Sequence, residues 1–167
     1  LMGLPIAVGN ERGHVCFSNP EVLRRAVADK REAFDRASWN LYSPVMEGDG
    51  DSQYRCRCPT CRSAMRPAEG RWGEASAWMW GFVNRVAAAL RESHPGRYLT
   101  CCAYASYRLP PAGLALLPNV AVTLCFNDFP LARGRPGLKA EYLREIAAWR
   151  AKAELLTLWD YWNSPRY

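Results

Sequence analysis

Residues 39–61 have the sequence WNLYSPVMEGDGDSQYRCRCPTC, whose character changes twice along its length. The run from Trp39 to Met46 is apolar and aromatic, which is typical of a buried β-strand. An acidic turn with Glu47, Asp49 and Asp51 follows at once, and three cysteines come directly after it. In parallel α/β folds the functional groups follow the carboxyl ends of the strands. We therefore interpret this stretch as one wall of an active site.

The flanking sequence predicts helices and strands that mostly alternate. Ser18, Asn19 and Pro20 are typical of a helix start, and apolar residues recur at helical spacing from there to about Ala37. Two more helices are predicted at 74–93 and 138–152, and three more strands at 98–105, 120–126 and 155–159. Strands that are apolar on both faces and mostly separated by helices indicate an α/β fold with a parallel sheet flanked by helices. Their number is about half of the eight strands in a (β/α)8 barrel.

The composition fits one globular domain over residues 1–167, since 49% of the residues are hydrophobic and 23% are charged. The formal charge is +6, but the arginines are scattered, so a nucleic-acid partner is the weaker expectation. No apolar run approaches the roughly 20 residues that span a membrane, and the start LMGLPIAVGNERG lacks the features of a signal peptide. Because it also lacks an initiator Met, we expect a piece of a longer protein.

Polar and aromatic side chains follow each predicted strand. They are Glu47, Asp49 and Asp51 after the first strand, Tyr104, Tyr107 and Arg108 after the second, Asn127 and Asp128 after the third, and Asp160, Tyr161 and Trp162 after the last. Carboxylates and amides bind sugar hydroxyls, and aromatic rings stack on sugar C–H faces. Two carboxylates also supply the acid and the base or nucleophile of glycoside hydrolysis. These strand ends therefore predict a carbohydrate site.

Each of these residues also has a plainer interpretation. Asp49 and Asp51 lie among glycines and can simply form a turn, and Asp160 can cap the segment after it. Aromatic residues such as Tyr104 and Trp159 are more often part of a core than a platform for a ligand. The functional interpretation is favoured because several strand ends carry such residues while the strand starts do not.

The three cysteines Cys56, Cys58 and Cys61 are the sharpest local signal. Their thiolates can share one Zn²⁺ with a fourth ligand from elsewhere, for which the candidates are Cys16, His14 and Cys125. A disulfide or free thiols are the alternatives, although an odd total of seven cysteines argues against a pure disulfide framework. If a metal is bound, we expect a structural role, since four protein ligands close the site. The predicted function itself requires no cofactor.

The order of these motifs resembles that of a known family. The segment HVCFSNPEV at 14–22 is similar to the start of a helix in that family, and 43–61 is similar to its acidic loop and cysteine cluster. Further similar segments follow in the same order, at 82–87, 103–105 with Pro110 and Pro111, 118–120, 124–125 and 159–161. The family is the domain of unknown function 4838, a bacterial glycoside-hydrolase-like TIM-barrel domain that occurs in larger proteins of polysaccharide breakdown.

The resemblance implies the central to C-terminal part of a (β/α)8 TIM barrel, which the rest of a secreted or periplasmic parent protein would complete. It implies a domain that acts on or binds polysaccharides or glycans. In this hypothesis Asp49, with Glu47 as its competitor, is the general acid or orients the reacting sugar, and Asp160 is the second carboxylate. Contacts with substrate are assigned to Tyr104, Asn127, Asp128, Trp159, Tyr161 and Trp162.

Two other classes of function stay open, so the sequence does not decide whether the protein is an enzyme. One is a non-catalytic carbohydrate-binding or scaffold domain, in which the carboxylates cannot reach one bond. The other is a zinc-stabilised nucleic-acid module, for which Arg55, Arg57 and Arg62 beside the cysteines would supply the positive charge.

Overall fold

The computed structural model describes residues 15–46, 55–126 and 134–159. In this part of the chain, helices and strands follow one another in the order α1 (Pro20–Arg36), β1 (Tyr42–Pro44), α2 (Pro59–Ser63), α3 (Ser76–Ser93), β2 (Tyr98–Ala103), β3 (Val120–Cys125), α4 (Pro136–Arg150) and β4 (Leu155–Trp159). Two short 3₁₀ turns, Pro67–Glu69 and Ala105–Tyr107, lie after α2 and after β2.

The four strands form one parallel sheet in the order β1-β2-β3-β4. Each strand therefore lies beside the next strand in the sequence, and all carboxyl ends meet at one edge, which we call the carboxyl edge. The predicted α/β fold with a parallel sheet and flanking helices is confirmed.

The core lies between one face of the sheet and the helices α1 and α3. Successive side chains of a strand point to opposite faces. On β2 the residues Leu99, Cys101 and Ala103 are accordingly buried, while Thr100 and Cys102 between them are only half-buried. The residues of α3 that complete this core include Val83, Val86, Ala87 and Leu90.

The start of α1 follows the predicted signals. The side-chain Oδ1 of Asn19 accepts a hydrogen bond of 2.8 Å from the backbone N–H of Glu21, and Pro20 occupies the first helical position. Phe17, just before this cap, stacks on Phe82 of α3 with ring centroids 4.1 Å apart. The beginning of α1 is thereby held against α3.

The first strand differs from its prediction. The sequence predicts a buried strand from Trp39 to Met46, but β1 contains only three residues, and Trp39 is 83% exposed. Trp39 belongs to the turn after α1, in which the N–H of Asn40 donates to the carbonyl of Ala37. The prediction of a long buried strand is wrong. It treats the aromatic residues of this segment as buried, whereas Trp39 is exposed in a turn that precedes an edge strand.

The helices in the described ranges are too short or too polar to cross a lipid bilayer.

Candidate functional site

Four cysteines gather at one point of the structure. The Sγ atoms of Cys16, Cys56, Cys58 and Cys61 all lie within 4.8 Å of one another. The Cys16 Sγ is 3.7 Å from that of Cys58 and 3.9 Å from that of Cys61. In a tetrahedral zinc site with Zn–S bonds of about 2.3 Å, the sulfurs are about 3.8 Å apart. All seven cysteines of the chain are free thiols in this structure, so the cluster can hold one metal ion.

Two local structures bring these sulfurs together. Cys16 stands just before the cap of α1, whereas Cys58 is itself the cap of α2. The backbone N–H of Cys61 donates to the Cys58 Sγ at 3.4 Å, and Pro59 begins the helix. The cluster therefore joins the start of α1 to a short helix that follows β1.

Of the three residues that the sequence offers as a fourth ligand, Cys16 lies in the cluster. His14 lies outside the described residues. Cys125 ends β3 and lies outside the cluster. Cys16 was hard to choose from sequence because it is separated from Cys58 by 42 positions.

Hydrogen bonds favour the thiolate form at one of the four cysteines. The Ser18 Oγ lies 3.3 Å from the Cys58 Sγ and 3.0 Å from the Cys16 Sγ. Donation from Ser18, followed by that from the Cys61 N–H, lowers the pKa of the Cys58 thiol to about 6. Metals bind the thiolate, so Cys58 is already prepared to act as a ligand near neutral pH.

The surroundings of Cys61 are drier. Burial raises the pKa of the Cys61 thiol, while the nearby Trp78 indole and Ser18 hydroxyl act in the opposite direction. A cleft of about 340 Å³ opens beside this cysteine, between the start of α1, α2 and α3, and the side chains of Trp78 and Arg85 line it. The Nη2 of Arg85 donates to the carbonyl of Phe17 at 2.8 Å.

The predicted carbohydrate site is described only in part. The three candidate catalytic residues Glu47, Asp49 and Asp160 lie outside the described residues, as do Asn127, Asp128, Tyr161 and Trp162. Tyr104 is half-buried directly after β2, and Trp159 ends β4 with 54% of its surface exposed. Both residues lie at the carboxyl edge, Tyr104 after β2 and Trp159 at the end of β4, and β3 lies between these two strands.

The backbone next to Tyr104 adopts a rare conformation. Ala105 has a φ of 47°, in the left-handed region, which costs a non-glycine residue about 1–2 kcal/mol. Backbone strain of this kind concentrates at functional sites. It turns the chain sharply as it leaves the carboxyl end of β2.

An ion pair at the same edge combines a predicted residue with one that the sequence did not indicate. Arg108 was among the polar residues expected after the second strand, but Glu145 of α4 was not identified. The Nε and Nη2 of Arg108 each donate to one carboxylate oxygen of Glu145 at 2.8 Å. Burial raises the pKa of Glu145 although Arg108 acts to lower it. The partners are 37 positions apart, and a glutamate within a helix carries no signal of such a role.

Comparison with known proteins gives a family but no activity. No curated protein and no solved structure is similar enough to the chain to match it. Residues 9–165, nearly the whole chain, match the family model described as a domain of unknown function (DUF4838). The cysteine cluster and the parallel sheet described above are thus features of a protein that belongs to the domain of unknown function 4838 family.

Proposed function

We propose that this chain forms part of a glycoside-hydrolase-like domain that acts on or binds a polysaccharide at the carboxyl edge of its sheet. The observation that carries the proposal is the parallel direction of all four strands. It means that the segments after β1, β2, β3 and β4 all begin at one edge. Those segments hold the acidic, amide and aromatic residues that a sugar site needs.

The order of the strands supports part of a (β/α)8 barrel as the architecture. In such a barrel each strand lies beside the next one in the sequence, whereas an open doubly wound sheet reverses its strand order at one point. The order β1-β2-β3-β4 contains no reversal. Residues elsewhere in a parent chain would supply the remaining strands.

In the proposed mechanism Asp49, with Glu47 as its competitor, donates the proton to the leaving sugar or orients it. Asp160 is the second carboxylate. Tyr104 and Asn127 orient the substrate, and Trp159 or Trp162 stacks on a sugar face. The place of Trp159 at the carboxyl end of β4 supports this role.

The test measures hydrolysis of a panel of polysaccharides by the wild type and by a double variant that carries both Asp49→Ala and Asp160→Ala. Both proteins are made in the full-length form. We expect hydrolysis to fall by about 10²–10⁴-fold, the usual contribution of a general acid or base. The matched control replaces Asp35 and Glu92 with alanine. These residues lie near the C-terminal ends of α1 and α3, so the control should leave hydrolysis unchanged.

The outcomes separate the two carbohydrate hypotheses. Wild-type protein that binds a glycan without cleaving it would favour the non-catalytic binding domain. Unchanged hydrolysis and binding in the double variant would contradict the proposed site.

We also propose that the ion at the cysteine cluster is Zn²⁺ and that its role is structural. Four thiolates in a tetrahedral arrangement suit zinc and leave no open position for a substrate. The alternative ion with the same preference is iron. In the proposed role the ion fixes the segment that follows β1 against the start of α1.

Elemental analysis of the purified protein tests this proposal. We expect one zinc per chain, and we expect Cys16→Ser or Cys58→Ser to lower the content strongly because each removes a ligand. Cys102→Ser is the matched control, since Cys102 is partly buried but outside the cluster. Iron in place of zinc, or an equal loss in the control, would contradict the assignment.

The nucleic-acid alternative receives less support. Of the three arginines beside the cysteines, Arg55 is buried and its Nη2 is 2.6 Å from Glu74 Oε1. Its charge is therefore compensated within the protein. Arg57 and Arg62 remain exposed, which is a small patch for a phosphate backbone.

A further inference from the structure

We infer that Trp78 and Arg85 of α3 form an outer layer of the metal centre, in which an indole N–H and a guanidinium charge stabilise the metal-bound thiolates. The inference rests on the zinc centre proposed above. It makes these two residues positioning residues, which contact ligands rather than the ion.

The first observation is an orphaned polar group. Trp78 is 5% exposed, and its Nε1 is buried without a hydrogen-bonding partner of good geometry among the described residues. Buried N–H groups normally have partners, because leaving one unpaired is costly. Trp78 lines the same cleft as Cys61, which places the indole beside the cysteine cluster. A metal-bound thiolate at Cys61 would provide the negatively charged acceptor that this N–H lacks.

The second observation concerns charge. A divalent ion with four thiolates carries two excess negative charges, and a partly buried site needs positive groups nearby. Arg85 lines the same cleft as Cys61, and it belongs to none of the ion pairs in the described part of the chain. Arg85 is exposed, so solvent screens its charge and the compensation is partial.

The third observation is that both residues lie on one face of α3. Positions 78 and 85 are seven apart, or about two turns of an α-helix. Phe17 stacks on Trp78 and on Phe82 of the same face, with centroid distances of 4.8 and 4.1 Å. Arg85 in turn holds the Phe17 carbonyl. The same face thus positions the segment that carries Cys16 and supplies donors to the sulfurs.

A purely structural interpretation is the alternative. Trp78 would then only fill the core, and Arg85 would only bind the carbonyl of Phe17. The two interpretations differ in what they predict for charge and for the indole N–H, so substitutions that change one property at a time can separate them.

The experiment measures zinc affinity by competition with a chelator in wild type, Trp78→Phe, Arg85→Gln and Arg85→Lys. Loss of an outer hydrogen-bonding partner typically weakens metal binding by about 10–100-fold, and we expect this for Trp78→Phe and Arg85→Gln. Arg85→Lys keeps the charge and should restore most of the affinity. Trp80→Phe and Arg91→Gln are matched controls on the same helix. The Trp80 indole donates to the Tyr107 carbonyl at 3.1 Å, outside the centre.

Cobalt(II) substitution adds a readout that a structural role would not move. Removing a hydrogen bond from a thiolate raises its electron density, so the sulfur-to-cobalt charge-transfer band should shift to longer wavelength in Trp78→Phe and stay in place in Trp80→Phe. Equal affinities for Arg85→Gln and Arg85→Lys, together with an unshifted band in Trp78→Phe, would overturn the inference. Wild-type protein that binds no zinc would instead overturn the proposed zinc centre.

Discussion

Arg108 and Glu145 tie the end of β2 to α4 through side chains that water hardly reaches. The side chain of Arg108 is 15% exposed and that of Glu145 is 8% exposed. The Arg108 guanidinium also lies over the rings of Trp72, Phe126 and Tyr142, and its backbone carbonyl accepts a hydrogen bond from the indole of Trp149. The pair is therefore satisfied from several directions, and removing one partner leaves the other charge buried.

We predict that Glu145→Ala lowers the free energy of unfolding by about 3–5 kcal/mol, because Arg108 then remains buried without its counter-charge. Replacing both residues, with Arg108→Met and Glu145→Leu, should cost less than the single change. Urea unfolding followed by circular dichroism measures both values. The exposed pair Arg25–Asp29 on α1 is the comparison, where Asp29→Ala should cost less than about 0.5 kcal/mol. If the single and the double variant had equal free energies of unfolding, the unpaired buried charge of Arg108 would not be the main cause of the destabilisation.

The helix α2 shows how an element can depend on a distant residue. It has five residues, whereas isolated helices shorter than about 12–15 residues are marginal in water. Its cap is the thiol of Cys58, and Cys61 lies inside it. With a metal bound, both residues would be fixed to Cys16, so the ion would supply the stability that the helix lacks by itself.

We expect removal of the metal by a chelator to increase hydrogen exchange at the amides of 61–65, whose protection comes from short local bonds such as Arg62 N–H to the Cys58 carbonyl. The amides of β2 and β3 should keep their protection, since they belong to the sheet. Mass spectrometry of exchanged peptides makes the comparison. Equal protection of α2 with and without metal would contradict a structural role of the ion.

At this scale local signals were sufficient for some elements and misleading for others. The start of α1 was predicted from Asn19 and Pro20, which act on their own backbone. The helix α2 is not predicted because its cap is a cysteine, Cys58, which is not a usual signal of a helix start. The first strand is predicted too long because the apolar and aromatic residues from Trp39 onward have the composition of a buried strand. Trp39 itself lies in a turn.

For the whole molecule, the parallel sheet could be predicted because alternation of apolar strands with helices leaves few other arrangements. The candidate site could be predicted only in pieces. Three of the four clustered cysteines lie within six residues and are visible in the sequence, whereas the choice of Cys16 depends on how α1 packs on α3. The pairing of Arg108 with Glu145 depends on where α4 lies beside the sheet. Contacts between distant segments are set by packing, which local sequence patterns do not encode.

The sheet itself has two unequal faces. One packs against α1 and α3, while the other carries half-buried residues such as Thr100 and Thr123. The hydroxyls of Thr123 and Thr157 are 2.9 Å apart on this second face. In the proposed barrel this would be the interior face.

The distance along the chain between Cys16 and the other three cysteines has a consequence for metal binding. In an unfolded chain, a thiol 42 positions from Cys58 would meet the other three only at the modest effective concentration that a flexible linker allows. The folded protein holds it within 3.7 Å of Cys58 because α1 stays docked on α3. If the cluster binds a metal, its affinity for that metal therefore depends on how firmly α1 packs on α3. A substitution that loosens the stacking of Phe17 on Phe82 would then weaken metal binding, although it changes none of the four cysteines.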